Sequence, residues 1–445
     1  MRHSAWLLFA VLSAHAGLCG AATRPRYGGT LRVEMRAAAT QLEPGAPIAS
    51  LVFEPLVRID SSGAPQPCLA VSWQHDASAK RWQLDLRPGV KFHDGFLLVP
   101  GAVVASLEEA LPGRSVSAAA DTVIVRADRP QPGLLYELAH NAPIFAHNAE
   151  GALVGTGPFR AAAWEPGRQA VFTANEDYWG GRPFLDRIEV RMGRSLRDQL
   201  VDLEVNRADF VELGPAEVRR ATERGLITWS TAPLGLAGLV FAPGRGEDPR
   251  LRQALALSID RAAMHSVLLQ KQGEISAALL PEWLSGYAFA FSAAPDLVRA
   301  RELANGLPTQ ARALALSYDP GMPAARPLAE RVAVNARDAG LAIQVAPQNS
   351  QADVRLALVD VPSLDAGRAL AGLAAALGLE APAIAGTSAA LYEAERKLLE
   401  TFRVIPLFYL PAFYGASARV HASEPPLERL GEWQFENIWL AGSAP

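Results

Sequence analysis

The chain has 445 residues, 50% of them hydrophobic and 20% charged, and a formal net charge of −4. That length exceeds one ordinary hydrophobic core, so two or more domains are expected, and the composition excludes a disordered chain. No basic tract or domain-wide positive balance is present, which argues against a nucleic-acid partner.

Taken in chain order, the first signal is one of export. Arg2 and His3 precede an apolar run over 5–14, and small residues follow through Gly20-Ala21-Ala22. This is a signal-peptide pattern, and the run is shorter than the roughly 20 residues that span a bilayer. Cleavage after Ala21 or Ala22 predicts a periplasmic protein. Cys19 offers lipid anchoring as the alternative, which bulky Leu18 just before it disfavours. Cys68 is then the one thiol left, expected to pack as a small hydrophobe.

Gly28-Gly29 reads as a turn entering a strand at 30–33, and 50–59 as a short helix leading into a strand. Residues 82–86 alternate with period two and stop at Arg87-Pro88-Gly89. A helix is predicted over 102–111 and ended by Pro112-Gly113. Strands follow at 121–127, 170–173 and 188–192. Leu196, Leu200 and Leu203 predict a helix over 196–210. Asp248 and Pro249 are suited to the N-cap and first position of a helix carrying Leu251, Leu255 and Ile259. Helix 299–305, strand 313–318, helix 324–339 and strand 341–346 alternate, which argues for α/β packing. Residues 366–390 are Ala-rich and of low complexity.

No Gly-x-Ser-x-Gly, His-Glu-x-x-His, phosphate loop or Cys-x-x-Cys occurs, and eight His and two Cys offer few zinc ligands. His93-Asp94 reads as a turn held by Asp94 rather than an acid–base pair. The expectation is a non-enzyme without cofactor or metal.

Several blocks stand in a specific order. They are Leu69-Ala70-Val71-Ser72-Trp73, the run from Trp82 to Lys91-Phe92-His93-Asp94-Gly95, and Gly155-Thr156-Gly157-Pro158-Phe159. Asn175-Glu176-Asp177-Tyr178-Trp179-Gly180-Gly181, Asp248 to Leu255 with Ile259-Asp260-Arg261, and Val404 to Tyr409 complete the set. Together they resemble the family 5 extracellular solute-binding proteins of ABC importers for dipeptides, oligopeptides and nickel. Read as residues, the blocks are structural: Trp179 is expected to be a packing anchor and Arg252 a salt-bridge partner.

The resemblance implies an α/β fold of the two-lobed periplasmic-binding-protein type II, with two crossover hinge strands. After a signal peptide at 1–22, lobe I would take 23–238 plus 412–445, with an extra subdomain at 51–155. Lobe II would take 239–411. It also implies a monomer that captures a small peptide or similar solute and delivers it to ABC permease subunits in the inner membrane. In peptide-binding members an aspartate of the second lobe holds the ligand's ammonium group, and Asp360 stands at the matching place. Such a carboxylate would make a charge-assisted hydrogen bond; the competing reading is a turn before Pro362. Trp283 and Tyr287 would wall the cleft or else pack in the core. Phe53 and the backbone of Thr156 and Gly157 are further candidates, the latter two as an edge for an added peptide strand.

This chain departs from the family at Val99-Pro100-Gly101, where the usual helix cap is missing and Pro100 would start the helix instead. Segments 112–155 and 361–390 are short for the family. That shortening keeps other readings open: a periplasmic sensor or chaperone-like relative, or a binder of nickel chelates or oligosaccharides.

Overall fold

The computed structural model describes residues 24–42, 46–60, 63–140, 142–147, 151–244, 246–349, 351–383, 387–428 and 431–441. The expected export segment and Cys19 lie outside the described residues. Two large mixed sheets organise the rest. The first runs in the order Phe159–Glu165, Gln169–Ala174, Arg187–Arg191, Thr30–Glu34, Phe210–Leu213, Phe413–Ala416, Ile227–Ser230. The second runs Glu274–Ile275, Val404–Leu410, Gly235–Phe241, Val354–Asp360, Ala313–Tyr318, Ala342–Pro347. A separate four-stranded sheet, Ala70–His75, Arg81–Leu86, Thr122–Arg126, Ser115–Ala119, forms within the expected subdomain.

The chain passes from the first large sheet to the second at 231–234 and returns at 411–412. The two crossings bond to each other: the Thr231 N–H donates to the Ala412 carbonyl at 3.0 Å, and the Ala412 N–H to the Thr231 hydroxyl at 3.0 Å. Residues 235–238 therefore lie with the second sheet, inside the wholly buried Gly235–Phe241 strand, although 238 was expected to close lobe I. A strand buried on both faces shows no alternation, so periodicity had nothing to mark it.

Register accounts for the cores. In the parallel pairing of Thr30–Glu34 with Arg187–Arg191, Leu31 lies opposite Ile188 and Val33 opposite Val190, all four fully buried. The helix expected over 196–210 is shorter, Leu196–Glu204. Asn206 adopts a left-handed φ of 58°, which stops a helix, and Phe210–Leu213 is a central strand. The Ala-rich stretch is ordered structure in part: helix Ala366–Ala376 buries Leu370 and Leu373. Helix Pro100–Ala110 starts on Pro100 with no side-chain cap at Val99, as the lost cap predicts. Asp248 caps helix Pro249–Ser258 by accepting the Arg250 N–H. Arg252 is not a salt-bridge partner: its guanidinium donates to the carbonyls of Thr401, Gly246 and Glu247 at 2.8, 2.7 and 2.8 Å.

Contacts at the sequence blocks around His93 and Trp179 knit the subdomain to lobe I. Asp94 accepts the Phe96 N–H at 3.2 Å, holding the expected turn. Trp179 packs under the Arg87 guanidinium, 4.1 Å from its ring centre. His93 Nε2 donates to the Gly157 carbonyl at 3.0 Å, and burial pushes its pKa down to about 4. The unfolded chain therefore binds a proton there that the folded chain rejects, so stability falls as pH drops from about 6.5 towards 4, by up to about 3 kcal/mol. Glu34 and Glu428, raised by burial to about 7, act in the opposite sense. Urea unfolding of wild type against His93→Gln isolates the histidine. The gap should shift against wild type by about 3 kcal/mol between pH 7.5 and 4; a pH-independent gap would refute the assignment.

Candidate ligand cleft

Lobe I and lobe II face each other across two communicating cavities of about 680 and 160 Å³, both lined by Arg36, Glu212 and Leu358. Arg36 follows the Thr30–Glu34 strand. Its N–H donates to Glu212 Oε2 at 2.6 Å, and its guanidinium reaches across to the Gly321 carbonyl of lobe II. Burial raises the Glu212 carboxyl above the usual range, with Arg36 pulling it back.

Asp360 ends the Val354–Asp360 strand and lines the smaller cavity beside the crossover. Its side chain is open to solvent, yet protein on both sides of the cleft surrounds it. That desolvation raises its carboxyl above the ordinary range, while the charges of His140 and Arg36 lower it. A solvent-reachable carboxylate in a desolvating cleft is suited to a cationic ligand group.

The strand supplies a second binding element. The Val361 N–H donates to the Leu234 carbonyl, so successive peptide groups alternate and those of Leu358 and Asp360 face away from Gly235–Phe241. On that far edge the neighbouring strand Ala313–Tyr318 pairs only as far as Tyr318 opposite Leu356. Beyond it the edge is open towards the cavities and can accept an extended chain.

The other sequence candidates lie elsewhere. Trp283 lines a third cavity of about 900 Å³ behind the crossover, and its indole N–H donates to the Pro233 carbonyl at 3.3 Å. The Tyr287 hydroxyl donates to Glu395 Oε2 at 2.8 Å, and its ring packs edge-on to Tyr392. Phe53 is core, 2% exposed, against Phe145. The Thr156 hydroxyl donates to Glu54 at 2.9 Å. The Gly157 N–H bonds to the Val52 carbonyl, and its own carbonyl accepts from Asn175 and His93. Gly157 thus has no backbone group left for an added strand, and Thr156 is 1% exposed. Arg36 and Glu212 were not singled out from the sequence. A charge inside the otherwise apolar Phe210–Leu213 strand was the available signal for Glu212.

Among the described residues no group of three His, Cys, Asp or Glu could hold a metal ion, and no helix is long and apolar enough to cross a membrane.

Two sheets joined by a paired crossover, with a cleft between them, define a two-lobed ligand-binding protein. The chain belongs to the bacterial extracellular solute-binding proteins, family 5 Middle, whose model matches residues 64–367. It is similar to the nickel-binding protein NikA of Staphylococcus aureus, 24% identical over 46% of this chain and 45% of the relative. It is also similar to the oligopeptide-binding protein AppA of Bacillus subtilis, 22% identical over 61% and 56%. The chain spans about half the length of the curated relatives it matches. The solved structure of that AppA in complex with a nonapeptide superposes with a TM-score of 0.79 at 16% identity, covering 94% of this chain and all of the other. NikA in complex with Ni(L-His)2 gives 0.80 at 16% identity, covering 92% and 99%. At these identities the likeness speaks for the fold.

Proposed function

We propose that this protein is the periplasmic substrate-binding component of an ABC importer and captures a peptide by its free ammonium end. It binds and hands over its ligand to membrane permease subunits without turning it over. The observation that carries this reading is Asp360 beside an open strand edge: a carboxylate for the amine and peptide groups for the ligand backbone, side by side. Family membership and relatives described as peptide-binding point the same way.

Thermal unfolding of residues 23–445 against di- to pentapeptides tests it, with nickel–histidine chelates and oligosaccharides as the competing arms. A ligand at about a hundred times its Kd adds about 2.7 kcal/mol of stability. Free-amine peptides should stabilise the chain, and Asp360→Ala should weaken them roughly 10- to 100-fold, the worth of one hydrogen bond to a charged group. Stabilisation by the chelate or sugar alone, or peptide binding indifferent to Asp360→Ala, would defeat the proposal.

A further inference from the structure

Lobe II buries one cation for which the protein supplies no anion. Arg261 opens the short helix Arg261–Val267 and is 5% exposed. Its Nε donates to the Pro406 carbonyl at 3.0 Å and its Nη1 to the Ala293 carbonyl at 3.4 Å. A guanidinium carries five N–H donors, so three remain, two of them on Nη2. Among the described residues no other acceptor takes them, and no carboxylate attracts the charge. The adjacent Asp260 carboxylate is used by the helix start, where it accepts the Ala263 N–H at 2.9 Å. Burial alone pushes the Arg261 pKa down to about 10, so the group stays charged at neutral pH.

Other buried arginines of this chain are compensated. Arg58 faces Glu54, Glu428 and Glu436, and Arg114 faces Glu137. The charge of Arg252, which also bonds only to carbonyls, is offset by Asp248 and Glu247. Arg261 is the exception, and a buried charge is costly unless it is paired.

Arg261 also lines a cavity of about 220 Å³ in lobe II. The other walls are mainly apolar and include Leu257, Phe291, Leu399 and Phe402. The protein covers these four side chains only in part, so an apolar body in the cavity would complete their burial. At the rim Arg396 bonds to Glu400, which leaves Arg261 to set the sign of the site. A cavity of about 150 Å³ holds benzene, so this one has room for a single ring or about six carbons with a carboxylate. It shares no lining residue with the two cleft cavities.

We propose that this cavity is a second ligand site, outside the cleft, for a small organic carboxylate with an apolar body. The carboxylate accepts from the remaining Arg261 donors, and the body lies against Leu257, Phe291, Leu399 and Phe402. Cation and apolar wall together select the ligand: an inorganic anion lacks the body, and a neutral amide leaves the guanidinium unpaired. A free acid and the carboxyl-terminal aromatic residue of a peptide offer the same chemistry. Peptide capture in the cleft is a separate matter, since Asp360 has no part in this site.

Calorimetric titration of residues 23–445 with phenylacetate and with N-acetylphenylalanine tests this. Binding of phenylacetate alone assigns the site to free acids, and of N-acetylphenylalanine alone to peptide ends. Against whichever acid binds, its neutral amide should be about 10- to 100-fold weaker, the worth of hydrogen bonds to a charged group. Acetate and inorganic phosphate should be at least about tenfold weaker than that acid for want of apolar surface. Ala294→Trp changes an exposed position at the cavity, keeps Arg261 and should weaken the acid at least about tenfold by filling the space. In Arg261→Gln the preference for acid over amide should fall to about one, a ratio that a mere loss of stability does not change. Neither acid binding at about 10 mM would overturn the site. So would equal binding of acid and amide, or acid binding indifferent to Ala294→Trp.

Discussion

Replacing Glu54 by alanine should cost about 3–5 kcal/mol of stability, the range for breaking a buried ionic pair from one side. Glu54 is fully buried, and four N–H and O–H donors converge on its carboxylate, with the Cys68 thiol as a fifth, weaker donor at 3.8 Å. Tyr178 and Trp179 donate at 2.8 Å, Thr156 at 2.9 Å and Arg58 at 3.2 Å. Burial raises its carboxyl, while Arg58 and the three hydrogen bonds pull it back. Alanine would leave the Tyr178, Trp179 and Thr156 donors without their acceptor, each at its own desolvation cost, while Arg58 would keep only its outer acidic partners. Because Arg58 also faces Glu428 and Glu436 of the C-terminal strip, the loss would loosen the seam between subdomain and lobe I. Urea unfolding followed by tryptophan fluorescence measures it, since Trp179 is a member of the network. A loss under about 1 kcal/mol would mean the network contributes no more than an ordinary hydrogen bond.

Phe210→Ala should be nearly as damaging, about 3–5 kcal/mol, the usual cost of emptying a core aromatic site. Phe210 is fully buried in a central strand and stacks on Tyr414 at 5.3 Å. It meets Phe435 at 5.0 Å and Trp433 at 6.2 Å edge-on. These rings come from the returning C-terminal segment, so one cavity would weaken the joint between the two ends of lobe I. A second effect follows from position. Phe210 shares its strand with Glu212 and Leu213, which line the cleft cavities, so this strand forms part of the cleft's floor. Peptide affinity should therefore fall alongside stability, measured at a temperature where the variant remains folded. Unchanged affinity in a destabilised variant would show that the floor does not depend on Phe210 for its shape.

The two variants illustrate which residues the sequence could interpret. The blocks around Thr156 and Tyr178-Trp179 marked the family and were read as structural, and three of their side chains meet on Glu54. Glu54 itself drew no notice, because nothing local distinguishes a buried carboxylate from a solvated one. Asp360 was legible only through the resemblance; its place beside an open strand edge depends on where Ala313–Tyr318 stops pairing.

The sequence by itself determined the alternation of helices and strands, the turn at Asp94, the proline-started helix at Pro100 and the family. Each of these is written in side-chain periodicity, capping chemistry or ordered motifs spanning a few residues. Only the tertiary structure decided the crossover at 231–234, the roles of Arg252 and Tyr287, and the architecture of the cleft. Arg36 meets Gly321 across 285 positions and Arg368 meets Glu137 across 231. Such pairs exist because the chain crosses between two sheets twice, and the proximity this creates leaves no local pattern in either partner.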